Sequence, residues 1–365
     1  MMASNAAKQS LVEKIRQSAP LDVKNIPNDS WVEGKTILIT GGASGFGEGF
    51  FRRWAAAGAN VIIGDINVQK GDQLVRDVKR ETGNHNLHFF HCNVTEWQSQ
   101  VNFFKEATKV SPHGGIDTVV ANAGITDTVS QLEEPANLDA ADPPAPNLAV
   151  LDVNLTGVVY TTHLALFYLP RNPGSAPANP KCDPSQTHRD RHILLISSIA
   201  GLLPIPGQAL YSASKHAVVG LYRTLRSSSF VHGVRVSLIC PYFIDTPLLS
   251  GAARALLAGG TMGKAEDVVE AATRFTADPR VVGRAVSVGP KMKVKQGADG
   301  EWNLVEGTSD AGEEKAIWEI YPHDFEDCDV FQRNMVGLMN RVMEIRGWVG
   351  WISDIIGAVT YGRKK

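Results

Sequence analysis

Three side chains in residues 198–215 could together move a proton to or from a substrate oxygen. Tyr211 and Lys215 are four positions apart, so on a helix they lie on one face. An ammonium close to a phenol is expected to lower the phenol pKa toward neutrality, and such a phenol exchanges protons at physiological pH. Ser198, thirteen positions before Tyr211, adds a hydroxyl. Each residue alone is more often a surface or turn residue, so the indication of catalysis comes from their joint spacing.

A glycine-rich segment earlier in the chain has the composition of a phosphate-binding loop. Residues 40–47 read TGGASGFG and follow the apolar residues 37–39. Gly41, Gly45 and Gly47 permit a tight turn and a close approach of the backbone to a ligand, and a helix that starts here offers unpaired N–H groups to pyrophosphate oxygens. An ordinary strand-to-helix turn has the same composition, so context must decide between the two.

Asp65 supplies that context, because it ends the next apolar run, 18 positions after Gly47. A carboxylate there accepts hydrogen bonds from the ribose hydroxyls of adenosine and repels a 2′-phosphate. Neither Arg nor Lys lies in the glycine-rich segment or directly after Asp65. These features favour NAD over NADP, although an isolated Asp is equally typical of a turn or a helix cap. Together with the Ser, Tyr and Lys residues, they indicate a redox enzyme.

The elements that must position these groups follow from the spacing of short apolar runs. The runs alternate with segments of helix length and predict strands at 36–40, 60–65, 87–92, 116–121, 192–197 and 233–240. Strands joined by crossover helices form a parallel, doubly wound sheet, so the predicted fold class is α/β. We predict an N-terminal arm at 1–33, one dinucleotide-binding and catalytic domain at 34–290, and a linker with an amphipathic helical extension at 291–365.

The residues after 290 differ in composition from the domain. A polar stretch from 293 predicts the linker, and apolar residues that recur every three or four positions between 331 and 359 predict an amphipathic helix. Its end carries Trp and Tyr residues and the basic sequence RKK, as in helices that lie on a membrane surface. Packing on the domain or on a partner subunit is an equally good alternative.

Composition limits the classes of function. The chain has 365 residues, 43% of them hydrophobic, and a formal net charge of -2, so it can build a large core but offers no positive field to nucleic acid. Its four cysteines are scattered, as in a reducing compartment. Lacking a secretory segment, the chain is predicted to be cytoplasmic. His85, His88 and His91 would divide between the two faces of a strand, so we predict no metal site.

In their order, the motifs resemble those of the short-chain dehydrogenase/reductase family over roughly residues 33–290. The glycine-rich segment matches, as do Asn122-Ala123-Gly124, Asn154 in VNLTG, the Ser, Tyr and Lys set, and PYFIDT at 241–246. The resemblance implies a Rossmann fold, a nicotinamide dinucleotide cofactor and the chemistry of alcohol oxidation or ketone reduction.

The resemblance also implies a role for each matching residue. Tyr211 would be the general base in alcohol oxidation or the acid in ketone reduction, and Ser198 would hydrogen-bond the substrate oxygen. Lys215 would lower the Tyr211 pKa with help from the nicotinamide charge, and would also bind the nicotinamide ribose. Asn154, the fourth catalytic residue, would support a helix kink and a proton-relay water. The implied cofactor-binding residues are Gly41, Ser44, Gly45, Phe46, Gly47, Asp65, Ile66, Asn93, Val94, Asn122, Ala123, Gly124, Tyr211, Lys215, Ile244 and Thr246.

Two positions depart from the family pattern. Asn93 stands where the family usually has an Asp that meets the adenine amino group, and an Asn carbonyl can accept the same hydrogen bond. Tyr242 stands where a Gly is usual and adds bulk near the nicotinamide, which leaves the shape of the substrate cavity open. Neighbouring apolar residues such as Leu202, Leu203 and Phe243 favour an apolar substrate.

The sequence thus predicts an NAD-dependent dehydrogenase for a secondary alcohol or ketone of a largely apolar small molecule, such as a polyketide, terpenoid or lipid, in specialised metabolism. An NADPH-dependent ketoreductase with the same residues is the alternative. A non-catalytic dinucleotide-binding scaffold is disfavoured, because Ser198, Tyr211 and Lys215 are all present. A membrane adaptor that acts through the tail is a further alternative. The resemblance also implies a homodimer or homotetramer formed through the helices of Asn154 and Tyr211.

Overall fold

Seven parallel strands form the centre of the described part of the chain. The structure, a computed structural model, describes residues 17–127, 132, 141–186, 189–203, 205–244, 246, 262–297, 302–305, 312–322, 338, 341 and 345. The strands are β1 (Thr36–Thr40), β2 (Asn60–Asp65), β3 (Leu87–His91), β4 (Thr118–Ala121), β5 (His192–Ile196), β6 (Arg235–Pro241) and β7 (Ala285–Gln296). Their order is β3-β2-β1-β4-β5-β6-β7. This order confirms the predicted doubly wound α/β fold.

Every predicted strand lies within two residues of its expected bounds. The central strands β1, β4, β5 and β6 are buried along their whole length, and such strands appear in sequence as uninterrupted apolar runs. Successive side chains point to opposite faces of the sheet, so Ile37 and Ile39 join one apolar cluster and Leu38 joins the other. The protein therefore has a core on each side of the sheet.

Helices cover both faces of the sheet. They are α1 (Gly45–Ala56), α2 (Val68–Thr82), α3 (Trp97–Val110), α4 (Ala149–Leu151, continued through the turn Asp152–Thr156 to Gly157–Tyr168), α5 (Ala209–Leu225) and α6 (Ala265–Ala277). α1, α2 and α6 contribute to the cluster of Ile37, and α3, α4 and α5 contribute to the cluster of Leu38. The helix that follows β4, α4, is interrupted by a π-helical turn.

Two segments bear on contact with a membrane. The stretch Ala149–Arg171 is long and apolar enough to cross a bilayer by composition, but it packs against β4, α3 and α5 in this fold. The core therefore accounts for part of its apolar content, while Val159 and Phe167 remain exposed. Of the predicted amphipathic helix at 331–359, the structure describes Leu338, Arg341 and Ile345, all helical. The remainder, with the predicted membrane-surface contact, lies outside the described residues.

Residues on the C-terminal side of the expected boundary at 290 continue the sheet. β7 crosses this boundary, and β8 (Trp302–Leu304) and β9 (Glu313–Ile320) pair with it antiparallel. Residues 291–295 read KMKVK, and this alternation of charged and apolar side chains is typical of a half-buried strand. The high charge of this segment suggested a linker, whereas the alternation of its side chains at every second position indicated a strand.

The described part of the N-terminal arm lies against the same edge of the sheet. Gln17 Nε2 donates a hydrogen bond to Gly283 O at 3.2 Å, and the Leu21 N–H donates to Glu319 Oε2 at 2.6 Å. Glu319 Oε1 also pairs with Arg284 Nη1 at 3.3 Å. These contacts join the arm to the domain and to β9.

A buried ion cluster ties the amino ends of β1, β5 and β6 together. Asp190 Oδ2 lies 2.6 Å from Arg235 Nη2 and 3.1 Å from Lys35 Nζ, and all three side chains are buried. Burial alone would raise the pKa of Asp190, but the charges of Arg235 and Lys35 outweigh it and hold this pKa well below its usual range. Both cations also donate to carbonyl groups at the end of α6. The cluster thus fixes α6 against the sheet.

Asp190→Ala is expected to lower the free energy of unfolding by about 3–5 kcal/mol, because it leaves two buried cations without their counter-charge. Urea denaturation measures this loss. Glu81→Ala is the matched control, since it removes a carboxylate from an exposed ion pair with Arg52 and should cost less than about 1 kcal/mol. Equal losses in the two variants would show that the cluster does not hold the strands together.

Candidate active site

The carboxyl ends of the parallel strands bring the predicted site residues to one edge of the sheet. The glycine-rich loop follows β1, Asp65 ends β2, Asn122 follows β4, and Ser198 follows β5. The strand order reverses between β1 and β4, so the loops after these two strands diverge and leave a crevice. A crevice at this position of a doubly wound sheet is where ligands bind.

The glycine-rich loop has the backbone conformation that its sequence predicts. Gly41 and Gly45 adopt φ of 63° and 56°, in the left-handed region that favours glycine. A Cβ on Gly41 would lie 2.7 Å from Ala123 Cα, whereas a Cβ on Gly45 would meet nothing within 4 Å. Gly41 therefore packs against the loop after β4, and Gly45 borders open space.

The first turn of α1 is suited to binding an anion. Ser44 occupies the N-cap position in an extended conformation, and its side chain makes no capping hydrogen bond. The N–H groups of the first turn, which begins with Gly45, Phe46 and Gly47, have no partner within the helix. A phosphate group can accept from such N–H groups and benefits from the helix dipole. The loop and helix thus fit the pyrophosphate of a dinucleotide.

Asp65 is held where the adenosine ribose of such a ligand is expected. Its Oδ2 accepts a hydrogen bond from the Ala43 N–H at 3.1 Å, and its Oδ1 accepts from the Asn67 N–H at 2.9 Å. Each carboxylate oxygen retains a lone pair for a further donor. The next residue, Ile66, is largely exposed and could cover an adenine ring.

Asn93 makes hydrogen bonds within its own turn. Its Oδ1 accepts hydrogen bonds from the Thr95 N–H at 3.2 Å and from the Thr95 hydroxyl at 2.9 Å, and its Nδ2 donates to Glu96 Oε1 at 2.8 Å. The carbonyl oxygen expected to meet adenine is therefore already used twice within a turn. The adjacent Val94 is buried, and its carbonyl accepts from Gln100 Nε2 at 2.7 Å.

The loop after β4 is tied to the loop after β1. Asn122 Nδ2 donates to the carbonyl oxygens of Thr40 and Gly41 at 3.0 and 2.9 Å, and the Ala123 N–H reaches Thr40 Oγ1 at 3.3 Å. A Cβ on Gly124 would come within 3.5 Å of Lys215 Nζ. This loop thus connects the dinucleotide crevice to the residues on α5.

Ser198, Tyr211 and Lys215 lie together, as their spacing predicts. Tyr211 and Lys215 share one face of α5, with Lys215 Nζ 5.6 Å from the centroid of the Tyr211 ring. Nζ donates a hydrogen bond to Ile196 O at 3.2 Å, at the end of β5. Ser198 begins a short 3₁₀ helix, where its Oγ accepts from the Ala200 N–H at 3.1 Å, and it also hydrogen-bonds the Tyr211 side chain.

Asn154 is fully buried in the π-helical turn of α4. Its Oδ1 accepts from the Ile125 N–H at 2.8 Å, and its Nδ2 donates to Ile125 O at 2.8 Å and to Ser214 Oγ at 3.2 Å. The wider π-helical turn moves this side chain out of ordinary α-helical register. Asn154 therefore links α4, the loop after β4 and α5.

The structure does not show the expected decrease in the Tyr211 pKa. Burial raises the pKa of Tyr211 above its usual value, and the hydrogen bond with Ser198 opposes this only in part. Burial also disfavours the charged form of Lys215, and it lowers the pKa of this ammonium to about 8. The cost of desolvating each charged form exceeds the attraction that spacing alone suggests. Beneath the pair lies Cys240, whose pKa burial raises to about 12, so this thiol is neutral.

The segment after β6 contributes an apolar rim. Ile244 and Thr246 are buried, and Ile244 forms a β-bridge with Gly263. Tyr242 packs edge-on against Phe243, with ring centroids 4.9 Å apart, and keeps 38% of its surface exposed. Within the described ranges, no three His, Cys, Asp or Glu side chains come together in a way that could hold a metal ion.

Comparison with known proteins assigns the family. The family model for short chain dehydrogenases matches residues 35–256. The chain is 37% identical over 275 residues to 5'-hydroxyaverantin dehydrogenase of Dothistroma septosporum. This match covers 71% of this chain and 86% of the relative. The chain therefore belongs to the short-chain dehydrogenase/reductase family, and it is an oxidoreductase.

Two further comparisons bear on the cofactor and the fold. NADP-dependent dehydrogenase M3 of a Phoma species is 32% identical over 287 residues, covering 75% of this chain and 79% of the relative. The crystal structure of 3-ketoacyl-(acyl-carrier-protein) reductase from Brucella melitensis complexed with NADH has a TM-score of 0.56 at 26% identity. That match covers 71% of this chain and 98% of the reductase. Relatives thus differ in the nicotinamide dinucleotide named for them.

Lys215→Met is expected to raise the free energy of unfolding at pH 7, because it removes a buried ammonium. The Lys215 pKa of about 8 lies below the usual lysine value of 10.5, so the penalty is complete below pH 8 and disappears as the pH rises to about 10.5. This shift corresponds to at most about 3 kcal/mol at pH 7. Urea denaturation at pH 7 and pH 10 measures the gain and its decrease.

The control is Lys105→Met, which replaces an exposed lysine of α3 and should change stability by less than about 0.5 kcal/mol. If Lys215→Met is no more stable than the unmodified protein at pH 7, burial of the ammonium does not carry the predicted cost.

Proposed function

We propose that this oxidoreductase transfers a hydride between NAD(H) and the secondary alcohol or ketone of a largely apolar small molecule of the polyketide, terpenoid or lipid type, in specialised metabolism. The observation that carries the proposal is the convergence of Ser198, Tyr211, Lys215 and Asn154 beside the loop after β4, which itself packs on the glycine-rich loop. Such a set would supply a proton-transferring phenol next to a crevice suited to a dinucleotide. A relative named 5'-hydroxyaverantin dehydrogenase supports a hydroxylated organic substrate.

Residues of the crevice would hold the cofactor in three regions. The first turn of α1, from Ser44 to Gly47, would bind the pyrophosphate, and Asp65 would bind the adenosine ribose. Lys215 and Tyr211 would contact the nicotinamide ribose. When bound, the nicotinamide dinucleotide supplies or accepts the hydride. The family resemblance implies further residues that would line this crevice. They are Gly41, Ile66, Asn93, Val94, Asn122, Ala123, Gly124, Ile244 and Thr246.

The proton is handled by the chain's own residues. Since burial keeps the Tyr211 phenol protonated, it is ready to donate its proton to the oxygen of a ketone undergoing reduction. In the oxidation direction the same phenol must accept the alcohol proton after losing its own. The hydrogen bond from Ser198 and the nearby Lys215 ammonium would then stabilise the phenolate. Ser198 would also hold the substrate oxygen in line with Tyr211.

Tyr211→Phe is expected to lower turnover by a factor of about 10²–10⁴, because it removes the group that transfers the proton. Activity is measured on a panel of apolar secondary alcohols and ketones by nicotinamide absorbance. NADH affinity should change little, since Phe keeps the ring. Tyr168→Phe, which removes a hydroxyl from a ring packed on Phe104, is the control and should keep full activity. Undiminished turnover in Tyr211→Phe would reject the assignment.

The proposed preference for NAD rests on the Asp65 carboxylate. It is fixed by the Ala43 and Asn67 N–H groups, so it cannot turn away without loss of two hydrogen bonds. A fixed negative charge repels the 2′-phosphate of NADP. An NADPH-dependent ketoreductase with the same catalytic residues is the second candidate, and the relative named as NADP-dependent favours it.

Asp65→Asn should narrow the preference for NADH over NADPH by about tenfold, the equivalent of about 1.4 kcal/mol of relieved repulsion. Fluorescence titration gives both dissociation constants. Asp72→Asn neutralises an exposed carboxylate on α2 and should leave the ratio unchanged. Tighter binding of NADPH than of NADH by the unmodified protein would favour the second candidate.

The proposal extends to the location of the protein and its assembly state. We place it in the cytoplasm, as a homodimer or homotetramer formed through α4 and α5, with any membrane-surface contact confined to its C-terminal tail. The exposed apolar side chains near the crevice, Tyr242 and Leu203, support an apolar substrate.

A further inference from the structure

Asp127 lies next to Tyr211 in space, although 84 positions separate the two residues in sequence. It follows the loop after β4, and only 9% of its surface is exposed. Its Oδ2 accepts a hydrogen bond from the backbone N–H of Tyr211 at 2.9 Å, and its backbone carbonyl accepts from Gln208 Nε2 at 3.3 Å. None of the sequence motifs includes this residue.

The contact satisfies a need of the first turn of α5. Gln208 is the N-cap residue of this helix, and its side chain makes no capping hydrogen bond. The N–H groups of a first helical turn lack partners within the helix, and Tyr211 is the third residue of that turn. A carboxylate is favourable here because of the helix dipole. Asp127 thus acts as a cap supplied from another part of the chain.

The backbone of Tyr211 is held on both sides by one continuous set of contacts. The Asp127 carboxylate accepts a hydrogen bond from the Tyr211 N–H, and the Ser214 hydroxyl donates to the Tyr211 carbonyl oxygen at 2.6 Å. Asn154 donates to Ser214 Oγ and binds both backbone groups of Ile125, two residues before Asp127. The path from Asp127 through Ile125, Asn154 and Ser214 therefore returns to Tyr211. Movement of Asp127 would release one end of this path.

We propose that Asp127 is a positioning residue that fixes the first turn of α5 and so aims the Tyr211 phenol at the substrate oxygen. The proposal rests on the proposed catalytic role of Tyr211. A displacement of about 1 Å in a reacting group can cost about 10²-fold in rate. Oδ1 of Asp127 has no hydrogen-bond partner among the described residues, so the single acceptor Oδ2 carries the contact. An Asn at this position keeps one such acceptor.

The test compares Asp127→Ala with Asp127→Asn. Asp127→Ala should lower kcat by about 30–100-fold, with KM and the NADH dissociation constant within about threefold of the unmodified protein, because only the aim of the phenol changes. Asp127→Asn should restore kcat to within about threefold. Asp278→Ala is the matched control, since it removes a carboxylate that accepts the Arg280 N–H at 2.9 Å away from the crevice, and it should keep full kcat.

The outcomes separate this proposal from the proposed function. Unchanged kcat in Asp127→Ala, or a loss of kcat that Asp127→Asn does not restore, would overturn the positioning role. The catalytic role of Tyr211 would still stand if Tyr211→Phe shows its expected loss of turnover. An active Tyr211→Phe would instead overturn the catalytic assignment itself. If Asp127→Ala does not fold, Asp127→Ser replaces it. Its shorter acceptor should give a kcat between those of the unmodified protein and Tyr211→Phe, and full activity would overturn the proposal.

Discussion

The structure around the crevice depends on the burial of a phenol and an ammonium side by side. Neither group gains its charge easily there, because burial raises the pKa of Tyr211 and lowers that of Lys215 to about 8. Lys215 keeps one described acceptor, the carbonyl at the end of β5. Because both groups are shielded from water, they respond strongly to any charge brought next to them. The strand ends, the π-helical turn and the cap on α5 all serve to hold this pair in place.

Most of the fold and much of the site could be predicted from the sequence. The strands were visible because buried parallel strands are continuous apolar runs, and β1 and β2 have the expected bounds. Tyr211 and Lys215 were visible because helical periodicity fixes which side chains share a face, and Ser198 was visible through its spacing from Tyr211 and its match to the family motif. Gly41 was visible because only glycine easily adopts its φ of 63°.

The rest required contacts that no local pattern contains. The direction of the Tyr211 pKa depends on how much solvent its ring loses, which spacing does not specify. Asp127 reaches Tyr211 from 84 positions away and stands in no motif. The side-chain oxygen of Asn93 accepts two hydrogen bonds from Thr95 in the same turn, and residue type alone does not predict these partners. For β7, high charge obscured the alternation of side chains beyond residue 290.

The pairing of β9 with β7 has a consequence for how the protein can be shortened. β6 occupies one edge of β7 and β9 the other, and Leu21 is hydrogen-bonded to β9 through Glu319. Removal of the chain beyond residue 296 would leave a row of backbone amide and carbonyl groups open along β7. Such an open edge invites strands from other molecules and leads to aggregation. β9 thus protects this edge of β7 against pairing with other molecules.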